Sequence, residues 1–362
     1  MSHGLATLHE QVIAADGCAL CGACVALCPY LTGFEGRVVQ LHDCAVDEGR
    51  CFRYCPRAEL DPVALLGERF GAFDPEREIE LGPCLSAMRA RAVDPELRSH
   101  GQSGGVVSAL ILAALDGGLV DAAVLTRRRD GIGARGVLAR TREEVLACAG
   151  SGYAAGPTLA ALNAAGEEGP LGLVALPCQA QALARMRTAT APLESAAASR
   201  VRLVVGLFCT WALDERRFAE LLAARVGGVP TRLEITPPPE RLLRVEREGH
   251  VISLPVEEVE HCVRAACRTC FDMTAELADL SVGTVEGLAG WSTVLVRSPF
   301  GQELLGRARP ALEIESLPDG YLERLGLASR QKKRRALERD PGYLRLAADL
   351  RRALLRPIEV PP

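Results

Sequence analysis

The chain has 362 residues, 48% of them hydrophobic and 24% charged, with a formal net charge of -4. That balance can bury a sizeable core in two or three domains, and it excludes disorder, collagen-like repeats and low-complexity fibres. Acidic residues outnumber basic ones by 46 to 42 and no long basic stripe occurs, so no nucleic acid is expected as a partner. Among the 42 basic residues only Lys332 and Lys333 are lysines, which excludes nearly every Schiff-base or Walker-type lysine mechanism.

From Met1 to Asp16 no basic stretch precedes an apolar core, so no secretory signal is read there. The most apolar segment, Gly104 to Thr126, is interrupted by Asp116, Gly117, Gly118 and Asp121. The protein is therefore expected to be cytoplasmic and not membrane-spanning. Fourteen cysteines in such a chain point to metal ligands or redox groups rather than structural disulfides.

Half of the cysteines fall in the first 55 residues. Cys18, Cys21, Cys24 and Cys28-Pro29 follow the bacterial-ferredoxin spacing C-x2-C-x2-C-x3-C-P. Two-residue gaps let three thiolates of one loop reach three corners of a cubane, while the fourth cysteine serves another cluster. A first [4Fe-4S] cluster is thus expected on Cys18, Cys21, Cys24 and Cys55, the last from a second Cys-Pro pair. Zinc is the lesser alternative, because zinc sites favour two separated pairs. The second half-motif, Cys44 to Cys55, lacks one cysteine, and Asp47 stands in its place. A carboxylate can ligate iron, so Cys28, Cys44 and Cys51 with Asp47 could hold a second cluster. A three-iron cluster, Cys84 as a distant fourth ligand, and a degenerate site whose cysteines merely pack are the other readings.

After Pro56 the sequence turns rich in Pro, Glu and Asp through Pro83, which reads as a linker or irregular wrapping. From Arg89 an alternating α/β pattern begins. Gly101 to Gly105 precedes a helix expected over Val106–Leu115 and ended by Gly117 and Gly118. Strands are expected at Ala122–Thr126, Gly172–Leu176 and Arg202–Phe208, the last two each followed by a cysteine. Cysteines just past strand ends lie where α/β folds place their chemistry. Antiparallel strands are expected in Leu233–Leu254 around Pro237–Pro239, and a charged helical tail over Ala328–Asp349. The glycine-rich segment is not a Rossmann fingerprint; it could seat an anion at a helix N-terminus or form a turn capped by Ser103.

Several motifs together resemble the β subunit of coenzyme F420-reducing hydrogenase and its wider flavoprotein family. They are His100-Gly-Gln-Ser-Gly-Gly-Val-Val-Ser-Ala-Leu110, Leu176-Pro-Cys-Gln-Ala-Gln181, Val205-Gly-Leu-Phe-Cys209, the segment from Cys267-Arg-Thr-Cys270 to Gly283, and Gly290-Trp-Ser-Thr-Val294. The resemblance implies an FAD-containing iron-sulfur oxidoreductase in which Cys178, Cys209, Cys267 and Cys270 ligate one cubane near the flavin. It implies that Gln102, Ser103, Gly104 and Gly105, with Trp291, Ser292 and Thr293, line the FAD, and it matches Gly150 to Tyr153 to a further flavin-side segment. The expected fold class is α/β (α+β); the chain departs from the hydrogenase subunit in carrying a ferredoxin-like iron-sulfur domain, read from the cysteine spacing, over residues 1–75. A mixed α/β flavoprotein domain follows in two parts, 76–165 and 166–335, and a helical tail covers 336–362.

A flavin can exchange a hydride and also pass single electrons, so the implied function is hydride exchange with coenzyme F420 or a similar substrate. Two or three [4Fe-4S] clusters would relay electrons to partner redox subunits in a hetero-oligomer. The alternatives are a ferredoxin-fed, stand-alone reductase of a pigment-like substrate and a non-catalytic electron-transfer subunit. Asp272, Glu276 and Asp279 could assist proton movement or serve ordinary polar and capping roles. His261 is expected to be exposed, and Trp211 and Trp291 to pack.

Overall fold

The computed structural model describes residues 3–71, 73–129, 132–236 and 240–357. In the N-terminal segment the hairpin of β1 (Leu31–Phe34) and β2 (Arg37–Gln40) turns at Glu35 and Gly36. The preceding cysteine loop takes left-handed φ angles at Leu20, Gly22 and Ala26, which winds Cys18, Cys21 and Cys24 into a tight coil. Gly22 has φ +90, and a Cβ there would stand 2.6 Å from the carbonyl carbon of Pro157; only glycine permits this approach. The loop is tied to the following domain by Leu159, whose N–H donates to the Cys21 carbonyl at 3.0 Å. Asn163 Nδ2 donates to the carbonyls of Ala23 at 3.0 Å and Val25 at 2.8 Å.

The stretch expected to be a linker is largely folded. Asp61 caps the helix Pro62–Phe70 by accepting the Ala64 N–H, with Pro62 at the first helical position. Leu65 and Leu66 of that helix are buried. Asp74-Pro75 opens a further helical turn, Pro75–Glu78, in the same way, and Asp94-Pro95 opens Pro95–His100. At Asp61-Pro62 and Asp74-Pro75 the proline and aspartate that read as linker composition are helix starts.

Next come β3 (Ser86–Ala92), β4 (Ala122–Arg128), β5 (Ala134–Ala139), β6 (Leu171–Ala175) and β7 (Val201–Leu207). A three-stranded antiparallel sheet follows, with β8 (Arg232–Ile235), β9 (Leu242–Arg247) and β10 (His250–Pro255) in the order β10-β9-β8. Pro237–Pro239 lie outside the described residues. Then come β11 (Leu280–Thr284), β12 (Ser292–Val296) and β13 (Leu312–Glu315). Eight strands form one mixed sheet in the order β13-β3-β12-β11-β7-β6-β4-β5. Its centre, β4, β6, β7 and β11, is parallel, and the flanks are antiparallel. Strands β6 and β7 read as nearly unbroken apolar runs because both faces are covered. One core packs the helix Pro177–Arg187 and the C-terminal helices; the other packs the helix Val106–Asp116.

Toward the C-terminus, one long helix spans Tyr321–Glu338 and a shorter one Ala348–Leu355, with the chain between them paired to Leu60 through Leu344. The boundary expected at 335/336 falls inside the long helix. This part is not a solvated tail, because Ser329, Lys332 and Lys333 are buried. Among the described residues no helix is long and apolar enough to cross a membrane.

Candidate functional site

A cleft of about 1040 Å³ opens above the carboxyl ends of the parallel strands. One wall is the glycine loop. Gly105 adopts φ 70 and begins the helix Val106–Asp116. Gly104 donates its N–H to Ser292 Oγ at 3.3 Å, and its carbonyl accepts from Ala92 N–H at 2.6 Å. A Cβ on Gly104 would stand 2.9 Å from the Ala90 carbonyl oxygen and from Arg91 Cα. Gln102, Ser103, Gly105 and Ser292 face the cleft, while Gly104 braces the loop from behind.

Gln102 also reaches the segment Gly150–Tyr153. Its Nε2 donates to Tyr153 Oη at 2.8 Å, and its Oε1 accepts from Ser151 Oγ. Tyr153 Oη accepts from the Ile235 N–H at 2.7 Å as well, and the residue sits at φ 56. Burial raises its phenol well above the ordinary value.

Trp291 and Thr293 stand outside the cleft lining. Side chains alternate along a strand, so Ser292 points one way and its neighbours the other. Trp291 packs between Arg89 and Arg91, whose guanidinium carbons lie 4.9 and 4.6 Å from its ring centroid. Thr293 Oγ1 is hydrogen-bonded to Tyr321 Oη at 2.7 Å. Asp272 and Asp279 also do not line the cleft: Asp272 accepts the N–H groups of Ala275 and Glu276, and Asp279 accepts that of Val204. Glu276 is ion-paired with Lys333, and burial pushes its carboxyl up to about 7.

Six arginines line the cleft (Arg127, Arg128, Arg129, Arg241, Arg324 and Arg335), and among the described lining residues Glu286 is the one carboxylate; Arg129 is ion-paired with Glu215, and Arg241 with Glu257 and Glu260. The space and the charge suit a large anionic ligand such as a dinucleotide. The floor runs through Phe208, Cys209, Thr210 and Trp211 at the end of β7.

All fourteen cysteines are free thiols, and electrostatic coupling sorts eleven of them into three groups. Cys21 is pushed up to about 12 by burial and by Cys55 and Cys18, and Cys24 is raised by burial and by Cys18, Cys21 and Cys55. Cys51, pushed up to about 11 by burial, is coupled to Cys28 and Cys44. Burial raises Cys178 well above the ordinary value, with Cys21 the next largest influence and Cys270 and Cys209 after it; burial pushes Cys209 up to about 12, with Cys267 and Cys270 adding to it. The fold thus brings together Cys18, Cys21, Cys24 and Cys55, then Cys28, Cys44 and Cys51, then Cys178, Cys209, Cys267 and Cys270. The groups stand within electrostatic reach of one another in series: Cys51 acts on Cys24, and Cys21 on Cys178.

Buried thiols that raise one another are costly as thiolates without iron to share their charge, a donor set suited to iron-sulfur clusters. Among the described residues no group of three or more His, Cys, Asp or Glu side chains could hold a single metal ion. A cubane, which takes one thiolate at each corner iron, asks for a wider spread of sulfurs than a lone zinc. Backbone N–H groups point at the sulfurs: Leu20 to Cys18 Sγ at 3.4 Å, Arg57 to Cys55 Sγ at 3.4 Å, and Ala212 to Cys267 Sγ at 3.3 Å. Burial acts on Cys270 too, yet Lys332, Arg57 and a backbone hydrogen bond at Asp272 act against it, and that thiol is lowered.

The remaining cysteines stand apart from these groups. Cys84 is exposed beside Arg297 and donates to the Ser86 carbonyl at 3.2 Å. Cys148 lines the cleft, and Cys262 is buried in the core under β8 to β10. Asp47 is an exposed residue of the loop before Cys51.

Residues 87–163 match the family described as coenzyme F420 hydrogenase/dehydrogenase, beta subunit N-term, and residues 170–319 match the C terminus of the same subunit. A coenzyme F420 hydrogenase subunit beta of Methanothermobacter thermautotrophicus is 30% identical over 267 residues, covering 71% of this chain and 94% of that protein. The chain belongs to the family of coenzyme F420 hydrogenase/dehydrogenase beta subunits. A subunit of the F(420)H(2) dehydrogenase of Methanosarcina mazei is 27% identical over 338 residues, 90% of this chain and 91% of that protein. Among solved structures, a chain of the F420-reducing [NiFe] hydrogenase complex of Methanosarcina barkeri superposes with a TM-score of 0.66 at 25% identity. That superposition covers 74% of this chain and 94% of the other.

Two features escaped the sequence reading. The long C-terminal helix lines the cleft with Tyr321, Arg324, Leu325, Ala328, Gln331 and Arg335, an i, i+3, i+4 stripe that its periodicity contained. Its next stripe carries Lys332 and Lys333 into the core behind the cysteines. Their rarity in an arginine-rich chain was the available signal.

Proposed function

We propose that this chain is the coenzyme-facing oxidoreductase subunit of a redox complex, with FAD in the cleft and a [4Fe-4S] cluster on Cys178, Cys209, Cys267 and Cys270. A second cluster falls to Cys18, Cys21, Cys24 and Cys55. Cys28, Cys44 and Cys51 offer three ligands to a third, with Asp47 as the candidate fourth. The observation that carries this reading is Cys209, which belongs both to the cleft floor and to the inner thiol group. Bound FAD would take a hydride from reduced F420, or return one, and pass the two electrons singly to the clusters, with the accompanying protons exchanged with solvent.

The chain's own residues supply the setting. The Gln102–Gly105 loop, Ser292 and Tyr153 would hold and orient the flavin. Arg127, Arg128, Arg324 and Arg335, the cleft arginines outside ion pairs among the described residues, would offset the charge of its diphosphate and of an anionic deazaflavin substrate. Phe208, Trp211 and Met273 exclude water from the floor. The serial arrangement of the thiol groups, each within electrostatic reach of the next, would give single electrons a route to the N-terminal segment, where a partner protein or ferredoxin would dock. F420 as substrate rests on the names of the relatives, two of them an F420 hydrogenase and an F420H2 dehydrogenase.

Anaerobic purification with iron, sulfide and flavin analysis, followed by titration with reduced F420 and with NADH, tests the reading. About twelve irons and one FAD per chain, with the flavin bleached by reduced F420 and not by NADH, are expected. About eight irons would remove the third cluster and keep the function. Absence of flavin, or a flavin that neither donor reduces, would overturn it.

A further inference from the structure

Forty of the forty-two basic residues are arginines, and the two lysines stand side by side on the helix Tyr321–Glu338. Both are buried, Lys332 to 3% exposure and Lys333 to 0%. The charge of Lys333 is answered by Glu276, and its Nζ also donates to the Phe271 carbonyl at 3.1 Å. Lys332 has no such answer: among the described residues no carboxylate lies within ion-pair distance of it. Its Nζ donates instead to the carbonyl of Cys209 at 2.6 Å. Arg57, 6% exposed, holds the Thr269 carbonyl at 3.3 Å and Tyr343 Oη, and it too meets no carboxylate among the described residues.

A buried cation without a counter-charge is strongly unfavourable. The thiols that Lys332 faces belong to one set, Cys270, Cys209 and Cys267, with Asp272 a weaker influence; Arg57 faces the Tyr343 phenol first and then Cys270, Cys178 and Cys267 of the same set, and it also reaches Cys18 and Cys21 of the neighbouring one. We propose that Lys332, together with Arg57, is the built-in counter-charge of a cluster on Cys178, Cys209, Cys267 and Cys270, and that it holds this cluster's reduction potential up. The inference rests on the ligand set proposed above. Reduction adds one negative charge to the cluster, and a fixed cation in a low-dielectric interior stabilises the reduced form more than the oxidised one. Lys332 is therefore a positioning residue for electrons: it makes the cluster beside the cleft a better acceptor than its thiolates alone would.

The test is a redox titration followed by electron paramagnetic resonance on the full chain with its clusters, comparing wild type with Lys332→Met, Lys332→Gln and Lys332→Arg. The two uncharged variants should keep their iron and shift the cleft-side cluster downward by roughly tenfold in its reduction equilibrium, about 59 mV for one electron. The ferredoxin-type signals should not move, and Lys332→Arg should stay close to wild type. Uncharged variants with full iron and an unmoved potential would overturn the proposal, as would loss of the cluster in all three variants, which would make the lysine a packing support. Absence of the cleft-side signal from wild type would instead sink the ligand set itself.

Discussion

In the N-terminal segment Cys18, Cys21 and Cys24 come from one coiled loop, whereas Cys178 comes from the first turn of the helix after β6, Cys209 from just past β7, and Cys267 and Cys270 from the short helix Ala265–Arg268 and the segment after it, before β11. The first group is assembled by local backbone geometry and the second by the order of parallel strands in a sheet. Local assembly writes its chemistry into spacing, so the ferredoxin pattern is readable without any fold. Assembly by a sheet hides its chemistry, because the chain must first be folded before isolated cysteines meet.

The comparison is broken most directly by deleting one thiol from each region. Cys178→Ala should lose about four irons while the ferredoxin-type resonance persists, and Cys21→Ala should do the reverse. Iron analysis with electron paramagnetic resonance decides it; if Cys178→Ala retains all its iron, the sheet-built ligand set is wrong. The next effect belongs to the cleft. Gly104→Val would press a side chain against the Ala90 carbonyl oxygen and Arg91 Cα, each 2.9 Å from where its Cβ must sit. The FAD content per chain should fall to less than about half. An unchanged flavin ratio would free the glycine loop of that role.

The buried pair behind the inner cysteines gives a third, smaller effect. Lys333→Met or Glu276→Gln alone leaves one partner's buried polar or charged group unanswered and should cost about 3–5 kcal/mol. The double variant Lys333→Met with Glu276→Leu should cost much less, because both polar groups leave together. Thermal midpoints of the cluster-loaded chain measure the cycle, and additive losses would show that the two groups are not coupled.

What the sequence disclosed follows the same division. The helix at Val106 and strands β4, β6 and β7 were legible from apolar runs and glycine stops, within two residues at their ends. The N-terminal thiols were legible from spacing. Cys178, Cys209, Cys267 and Cys270 were each ambiguous alone, and only their resemblance to a family pooled them. Trp291 and Thr293 were grouped with Ser292 because a motif is contiguous in sequence, although a strand sends adjacent side chains to opposite faces. Lys332 was read for the mechanisms it excludes, when its burial and its contact with the Cys209 carbonyl depend on a helix face that composition does not show.

The linker that proved to be helix offers the smallest test. Three times the chain starts a helical segment with Asp-Pro, at Asp61, Asp74 and Asp94, and each Asp side chain accepts a backbone N–H of the first turn. Proline at the first helical position sacrifices no hydrogen bond, and the carboxylate meets the positive end of the helix. At Asp61 the cap starts the helix that sets Leu65 and Leu66 into the core shared with the helix Pro177–Arg187, behind Cys178. Asp61→Ala should therefore cost about 1 kcal/mol. Hydrogen exchange should quicken over residues 62–70, while the iron and flavin contents stay at wild-type values. If the iron bound near Cys178 falls with it, the segment between the two regions helps to build the inner site, and the division between local and sheet-built assembly is less sharp than the cysteine positions suggest.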